Sequence, residues 1–525
     1  MRSSADGRKA RLKMAQPTLR RQGAHPAAVP PARQRGHGMA TYNGTTSSDN
    51  QLHTRGVSAV YTLGAFESFS LYGAQSVLLY FLYFGSGHGG LALDKDVASA
   101  IVGSFTGLIY LCGLISAGMS SPLSDAGRIR LIQLSACVLG LGYGILALAQ
   151  GRDLMLAAIV LVSLASGAVK TLGMAQLGAV HDDSGTLSTQ REAAFVKYYA
   201  IMNMGAFAGP LAVGWVWHAS GFSPAFWLCS ALAVAAAVAY ARSTRGGDRP
   251  AGTGLAELAN ARTARWALIG LAVLALFLPV TFFAPTRSSA LMAVVVALAI
   301  TSLFAYMLSS RRSTPAEKRN LKRFSPAFLG SVCFWCLYQQ QYTVLALFVE
   351  SRVDLSVFGL DVPPGWVQSV SPLAAVLVAT LALMSRERAP KSVSRPYAKI
   401  SAGLLVMALG YVFFLWASTS GGLVPLHVIV AVLVVFSVSE ILVGPIVQSM
   451  STSVSGGTWR TQMSAMFFLS VSLGSAGAGV FAQLYVHFGE HVYFATLISG
   501  SLAVSAALLV SHWLLAANGT PGSGG

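Results

Sequence analysis

Residues 153–178 read DLMLAAIVLVSLASGAVKTLGMAQLG, and between Asp153 and Gln176 they carry one charge, Lys170. A run of this length exceeds the roughly 20 residues that cross a hydrocarbon core about 30 Å thick. The apolar positions are continuous rather than alternating, so the backbone must satisfy its own hydrogen bonds as a helix and not as a barrel strand. Comparable runs recur near 57–83, 97–119, 130–150, 194–218, 223–242, 264–284, 288–308, 325–349, 366–385, 398–418, 423–447, 461–486 and 491–515, which makes fourteen expected spans. Over all 525 residues, 54% are hydrophobic and 10% charged, against roughly a quarter charged in soluble domains. The fold class is therefore an all-α membrane protein, and soluble globular readings are excluded.

The formal net charge of +17 is informative through its placement. With the amino terminus inside, Arg128, Arg130, Arg191, Lys197, Arg242, Arg245, Arg249, Arg262 and Arg265 all fall on the cytoplasmic side. So do Arg311, Arg312, Lys318, Arg319, Lys322, Arg323, Arg386, Arg388, Lys391, Arg395, Lys399 and Arg460, whereas the opposite loops hold few basic residues, among them Arg152, Arg287 and Arg352. This bias predicts a multi-pass protein of the cell (inner) membrane with both termini cytoplasmic, and it removes nucleic acid as a partner. Long basic loops near 243–265 and 309–324 divide the spans into six, two and six, the paired-half plan of rocking transporters. The expected boundaries are a basic disordered tail at 1–55, a six-helix half at 56–245, a two-helix insert with its linkers at 246–323, a second six-helix half at 324–516 and a short tail at 517–525. The basic tail lacks the apolar segment and cleavage site of a secretory leader, and Met39 is an alternative start. No phosphate loop, HExxH or supported G-x-S-x-G is present, so no catalytic residue, metal or cofactor is expected. The five cysteines, Cys112, Cys137, Cys229, Cys333 and Cys336, fall in apolar runs, as small hydrophobes do.

A charge at the bilayer centre costs at least about 2.5–3.5 kcal/mol, so each deep ionisable residue is a functional candidate. Three stand out: Glu67, Lys170 and Glu440. Two acids and one base around a shared cavity suit a zwitterion, with Lys170 on its carboxylate and a glutamate on its amine. An internal Glu67–Lys170 salt bridge is the structural alternative, and a pair that breaks and reforms serves both readings. Tyr72, Tyr110, Tyr199, Asn203, Gln340 and Ser371 could orient a small polar ligand, or act as interhelical hydrogen bonds. Trp335 and Trp366 read as packing or interfacial anchors, and the small-residue runs 205–210 and 474–479 as sites of close helix approach.

Several segments resemble the proton-dependent oligopeptide transporter family of the major facilitator superfamily. Glu67-Ser68-Phe69-Ser70-Leu71-Tyr72-Gly73 is similar to E-x-x-E-R-F-x-Y-Y-G, and the segment from Gly103 to Tyr110 is similar to the second-span segment ending in a binding-site tyrosine. Gly167-Ala168-Val169-Lys170 resembles G-x-x-K, and the segment from Tyr198 to Gly205 resembles F-Y-x-x-I-N-x-G. Phe334 to Gln340 resembles F-W-x-x-x-E-Q, Trp366 to Pro372 W-x-Q-S-L-N-P, and Ser439 to Pro445 G-E-L-x-x-S-P. The likeness covers roughly residues 57–515 and implies a major facilitator fold of two six-helix halves with a two-helix insert. It also implies alternating access for di- and tripeptides or peptide-like molecules driven by protons. Implied binding residues are Tyr72, Tyr110, Lys170, Asn203, Gln340, Ser371 and Glu440, with Glu440 toward the peptide amine and Lys170 toward its carboxyl end. Proton coupling would pass through Glu67 and Lys170.

The departures are specific. Gly64 stands where the first motif acid is expected, Ser68 where the arginine is, Gln339 where the seventh-span glutamate is, and Ser371 where the asparagine is. Loss of the arginine removes a bidentate clamp, which favours modified peptides or peptide-like metabolites. The alternatives are an uncoupled carrier or exporter of such a metabolite and, from another class, a non-transporting receptor or scaffold. A monomer within the lipid bilayer is the expected state.

Overall fold

A computed structural model describes residues 47–183, 188–244, 260–357, 359–386, 396–420, 422–453 and 459–517. Most of the basic tail, Met39, the short carboxyl-terminal tail from residue 518 and the loop residues Arg245, Arg249, Arg388, Lys391 and Arg395 lie outside the described residues. The helices are α1 (Ser47–Tyr83), α2 (Lys95–Ser120), α3 (Asp125–Ala147), α4 (Arg152–Asp183), α5 (Ser188–Ser220), α6 (Phe222–Ser243), α7 (Ala261–Phe283) and α8 (Ser288–Ser309). They continue with α9 (Pro315–Tyr338), α10 (Val344–Arg352), α11 (Val370–Arg386), α12 (Pro396–Thr419), α13 (Leu426–Ser453) and α14 (Arg460–Ala517).

Every expected span lies on these elements. The ninth is broken by a 3-10 turn, Gln339–Tyr342, between α9 and α10, and the tenth begins in a second one, Pro364–Ser369. The last two share α14, whose two arms meet at Gly489 (φ 80°), a conformation open to glycine and strained for other residues. Among the described residues, twelve helices are long and apolar enough to cross a membrane, with α9 and α10 counted as one, the two arms of α14 counted as one, and α1, which carries the first expected span, not apolar enough to be among them. The little strand structure present, two-residue β1 (Val353–Asp354), β2 (Ser356–Val357), β3 (Leu360–Asp361) and β4 (Val424–Pro425), pairs β1 parallel with β4 and β2 antiparallel with β3.

Local chemistry starts the helices where the sequence allows. Ser124 accepts from the Gly127 amide at the head of α3, and Asn260 from Arg262 at the head of α7. Thr314 and Glu317 form a reciprocal capping box at α9, with Pro315 at the first helical position.

In lipid, apolar packing gains little from leaving water, so close contact and hydrogen bonds decide which helices touch. Gly205 and Gly209 let α5 lie directly on α1: a Cβ at either would fall 2.3 Å from the carbonyl oxygen of Ala65 or Phe69. Ser472 of α14 donates to the Gly107 carbonyl of α2 at 2.7 Å. The insert helices lie along the same seam, with Thr263 of α7 bonded to the Met119 carbonyl (3.2 Å) and Ser289 of α8 to that of Ala100 (2.6 Å).

At the end opposite the basic loops the bundle is closed. Tyr80 of α1 donates to the Ala346 carbonyl of α10 at 3.1 Å and stacks on Trp217 of α5. Trp366 donates its indole N–H to the Leu211 carbonyl of α5 at 2.9 Å, which makes it a packing residue of this closure.

Candidate functional site

Glu67, on α1, is 1% exposed. A carboxylate so placed needs compensation, and α4 supplies it. Lys170 Nζ lies 2.8 Å from Glu67 Oε2, and Ser166, one helical turn earlier on the same face, donates to Oε1 at 2.5 Å. Ser68 adds a longer hydroxyl contact of 3.4 Å. The Lys170 side chain keeps 13% exposure and sits over the Tyr72 ring, 5.3 Å from its centroid, so the cation has a second favourable neighbour.

Glu440, on α13, is satisfied differently. Its Oε2 accepts from the Tyr338 hydroxyl of α9 at 2.8 Å, and among the described residues no cation lies within ion-pair distance.

Aromatic side chains fill the interval between the two acids. Tyr72 and Tyr110 each interact electrostatically with both Glu67 and Glu440, and with one another. Tyr342 lies 6.4 Å from Tyr72, centroid to centroid, and also interacts with Tyr110 and Glu440. Tyr110 stacks on Phe468 of α14. Tyr72 thus lies near all three deep charges, with Lys170 over its ring and both acids within electrostatic reach. Tyr199 of α5 is 46% exposed and also interacts with Glu440. Asn203, a turn further along α5, is partly exposed and donates to the Tyr199 carbonyl at 2.9 Å.

Gln340, named from the sequence, is taken up by contacts within the protein, and the Ser371 hydroxyl is buried without a partner among the described residues. Gln340 is fully buried and its amide is used by the protein: Nε2 donates to the carbonyls of Cys336 (3.2 Å) and Ala478 (3.4 Å). Its Oε1 accepts from Thr343 (2.9 Å) and Tyr493 (2.5 Å). On a helical path Gln340 points about 200° away from Tyr338, which faces Glu440. Ser371 is 1% exposed, and its carbonyl accepts from Ser437 on α13 at 3.1 Å. Ser166, Tyr338 and Tyr342 were not singled out as site residues from the sequence. The signal was available as helical spacing, Ser166 four before Lys170 and Tyr342 four after Tyr338.

The structure also explains one departure. A Cβ at position 64 would sit 2.6 Å from Tyr198 Cε2, so the space a first motif acid would need is filled by a tyrosine ring.

The sequence model of the POT family matches residues 105–497, about three quarters of the chain. The chain belongs to the POT family. It is similar to the peptide transporter YePEPT of Yersinia enterocolitica subsp. palearctica serotype O:3 (strain YE-P4), at 26% identity over 82% of this chain and 87% of the relative. It is also similar to the di-/tripeptide transporter of Lactococcus lactis subsp. cremoris, at 25% identity over 87% of this chain and 94% of the relative. A solved structure of a peptide transporter POT in complex with sulfate superposes with a TM-score of 0.78 at 25% identity, covering 88% of this chain and 94% of that one. The fold is the major facilitator fold of that family, and the protein is a membrane transporter, not an enzyme.

Proposed function

We propose that this POT-family protein moves di- and tripeptides or peptide-like molecules across the cell membrane by alternating access, as a monomer, and couples that movement to protons through Glu67 and Lys170. The observation that supports this most is that Tyr72 and Tyr110 are within electrostatic reach of both the Glu67–Lys170 pair and Glu440, and the proposed binding space lies among them. A zwitterion entering it meets a cation at one end and an uncompensated carboxylate at the other. Glu440 takes the amine, Lys170 the carboxylate, and Tyr72, Tyr110 and Asn203 hold the backbone between them.

Coupling follows from what the substrate does to the pair. When a substrate carboxylate draws Lys170 away, Glu67 remains buried with two serine hydroxyls as neighbours. An unpaired buried anion costs several kcal/mol, so the carboxyl group is neutralised by a proton. Return of Lys170 expels that proton.

Halves at 56–245 and 324–516 rock about the site, and the 246–323 insert joins them. With the basic loops and both termini in the cytoplasm, the closure by Tyr80 and Trp366 faces outward and the exposed Tyr199 faces inward.

A second reading, an uncoupled carrier or exporter, draws on Gln339, whose buried Oε1 has no partner among the described residues and cannot carry a proton cycle. Uptake of a labelled dipeptide into proteoliposomes, with and without an inward proton gradient, decides between them. Accumulation that ignores the gradient overturns the coupled reading, and no uptake or exchange of any peptide overturns peptide transport itself.

A further inference from the structure

The two 3-10 turns that interrupt the spans, Gln339–Tyr342 and Pro364–Ser369, lie against each other: Gln368 Nε2 reaches the Gln341 carbonyl at 3.5 Å. Both glutamines are buried, Gln341 at 4% and Gln368 at 5% exposure. Even so, Gln341 Nε2, Gln341 Oε1 and Gln368 Oε1 have no hydrogen-bond partner among the described residues. A buried amide left unpaired is costly, and in folded proteins nearly all such groups are met by protein or by ordered water.

The same two side chains line one small cavity of about 10 Å³. That is about the room one buried water occupies, and it is too little for a substrate or a lipid chain. Most of the remaining wall is hydrocarbon, with Leu345, Val349, Phe414 and Leu433 among it, and such side chains offer the amides no bond. Tyr80 and Ala346, whose hydrogen bond shuts this end of the bundle, complete the lining. A cavity of this size stays dry when it is apolar and is filled when two or more polar groups reach it.

We propose that this cavity holds one ordered water molecule, which donates to Gln368 Oε1 and is hydrogen-bonded to the Gln341 side-chain amide. The water then joins the two broken spans at their breaks, where the direct contact between the turns is a single long bond. It is enclosed beside the Tyr80–Ala346 bond and so belongs to the shut end of the bundle. The site rests on unpaired amides and the room between them, and not on the transport reading given above.

The first test is a crystal structure of the full chain with this end shut, at a resolution that shows buried waters elsewhere in the bundle. A density peak within hydrogen-bond distance of both Gln368 Oε1 and the Gln341 amide is expected. The second test is Gln341→Met, which keeps the length of the side chain and removes the amide. The Gln341 side chain makes no direct hydrogen bond among the described residues, so a dry site predicts that its loss raises the melting temperature in detergent or leaves it unchanged. With the water in place, the change strands the water and Gln368, and the melting temperature should fall by about 2 °C or more. Because Gln341 also lies near the Tyr338 hydroxyl, the substitution is repeated on Tyr338→Phe, where the same fall is expected. A map without a peak touching both groups, a melting temperature that does not fall, or a fall that vanishes on Tyr338→Phe would each overturn the site. Neither readout is transport, so a chain that moves no peptide would leave this site standing and defeat the functional reading alone.

Discussion

Glu67 and Glu440 are both deep carboxylates, and the protein treats them in opposite ways. Glu67 has a cation at 2.8 Å and two serine hydroxyls, so its charge is met from within the bundle. Glu440 has one neutral partner among the described residues, the Tyr338 hydroxyl. Under the proposed function the difference separates two jobs that one acid cannot do together. A carboxylate already paired with a mobile lysine is a switch, since anything that competes for the lysine changes its state. A carboxylate stabilised by a neutral donor keeps its negative potential for a cation brought from outside.

Substitutions can break this contrast, and the largest effect belongs to the paired acid. Lys170→Gln leaves Glu67 buried without a cation and should cost about 3–5 kcal/mol of stability, read as a lowered melting temperature in detergent. The double variant Lys170→Gln/Glu67→Gln should recover most of that loss. No recovery would mean that Lys170 acts on stability through something other than Glu67. Glu67→Gln alone should abolish gradient-driven uptake and spare peptide exchange between equal compartments; equal loss of both would assign Glu67 a structural role.

Glu440→Gln keeps shape and removes the charge that meets the substrate amine. The apparent KM for a dipeptide should rise about 10- to 100-fold, in line with the about 1.5–3 kcal/mol of a charged hydrogen bond, with stability nearly unchanged. An N-acetylated dipeptide should show no such difference between the two forms, and if it does, Glu440 does not hold the amine. Gln340→Ala sharpens the contrast from the other side. It strands the Tyr493 and Thr343 hydroxyls and should cost about 1–3 kcal/mol of stability while leaving KM within about twofold. Smallest of all, Tyr338→Phe removes the 2.8 Å bond to Glu440 and should change KM by at most about tenfold, measured with the same dipeptide.

Much of this was readable in the sequence because membrane helices announce themselves. Apolar runs long enough to span placed most of the helices, and charges rare in lipid drew attention to Glu440 and to Glu67 and Lys170, which do pair. Less visible were positions governed by breaks in helical periodicity. The segment 325–349 reads as one continuous span, yet it tightens into a 3-10 turn at Gln339, and the residue expected to face the ligand, Gln340, instead ties α9 to α14. Neutral hydroxyls were equally hard to weigh. Tyr338 and Ser166 look like any other polar residue in a span until the acid each one serves is found across the bundle.

One property of the closed end reaches beyond its geometry. Both bonds that fasten it, from Tyr80 and from Trp366, end on main-chain oxygens, those of Ala346 and Leu211. Main-chain oxygens survive any side-chain replacement, so the latch is encoded on one side only. Scanning for loosened variants should return hits at Tyr80 and Trp366 and silence at their acceptors, and a search for compensating residue pairs across this contact would pass over it altogether.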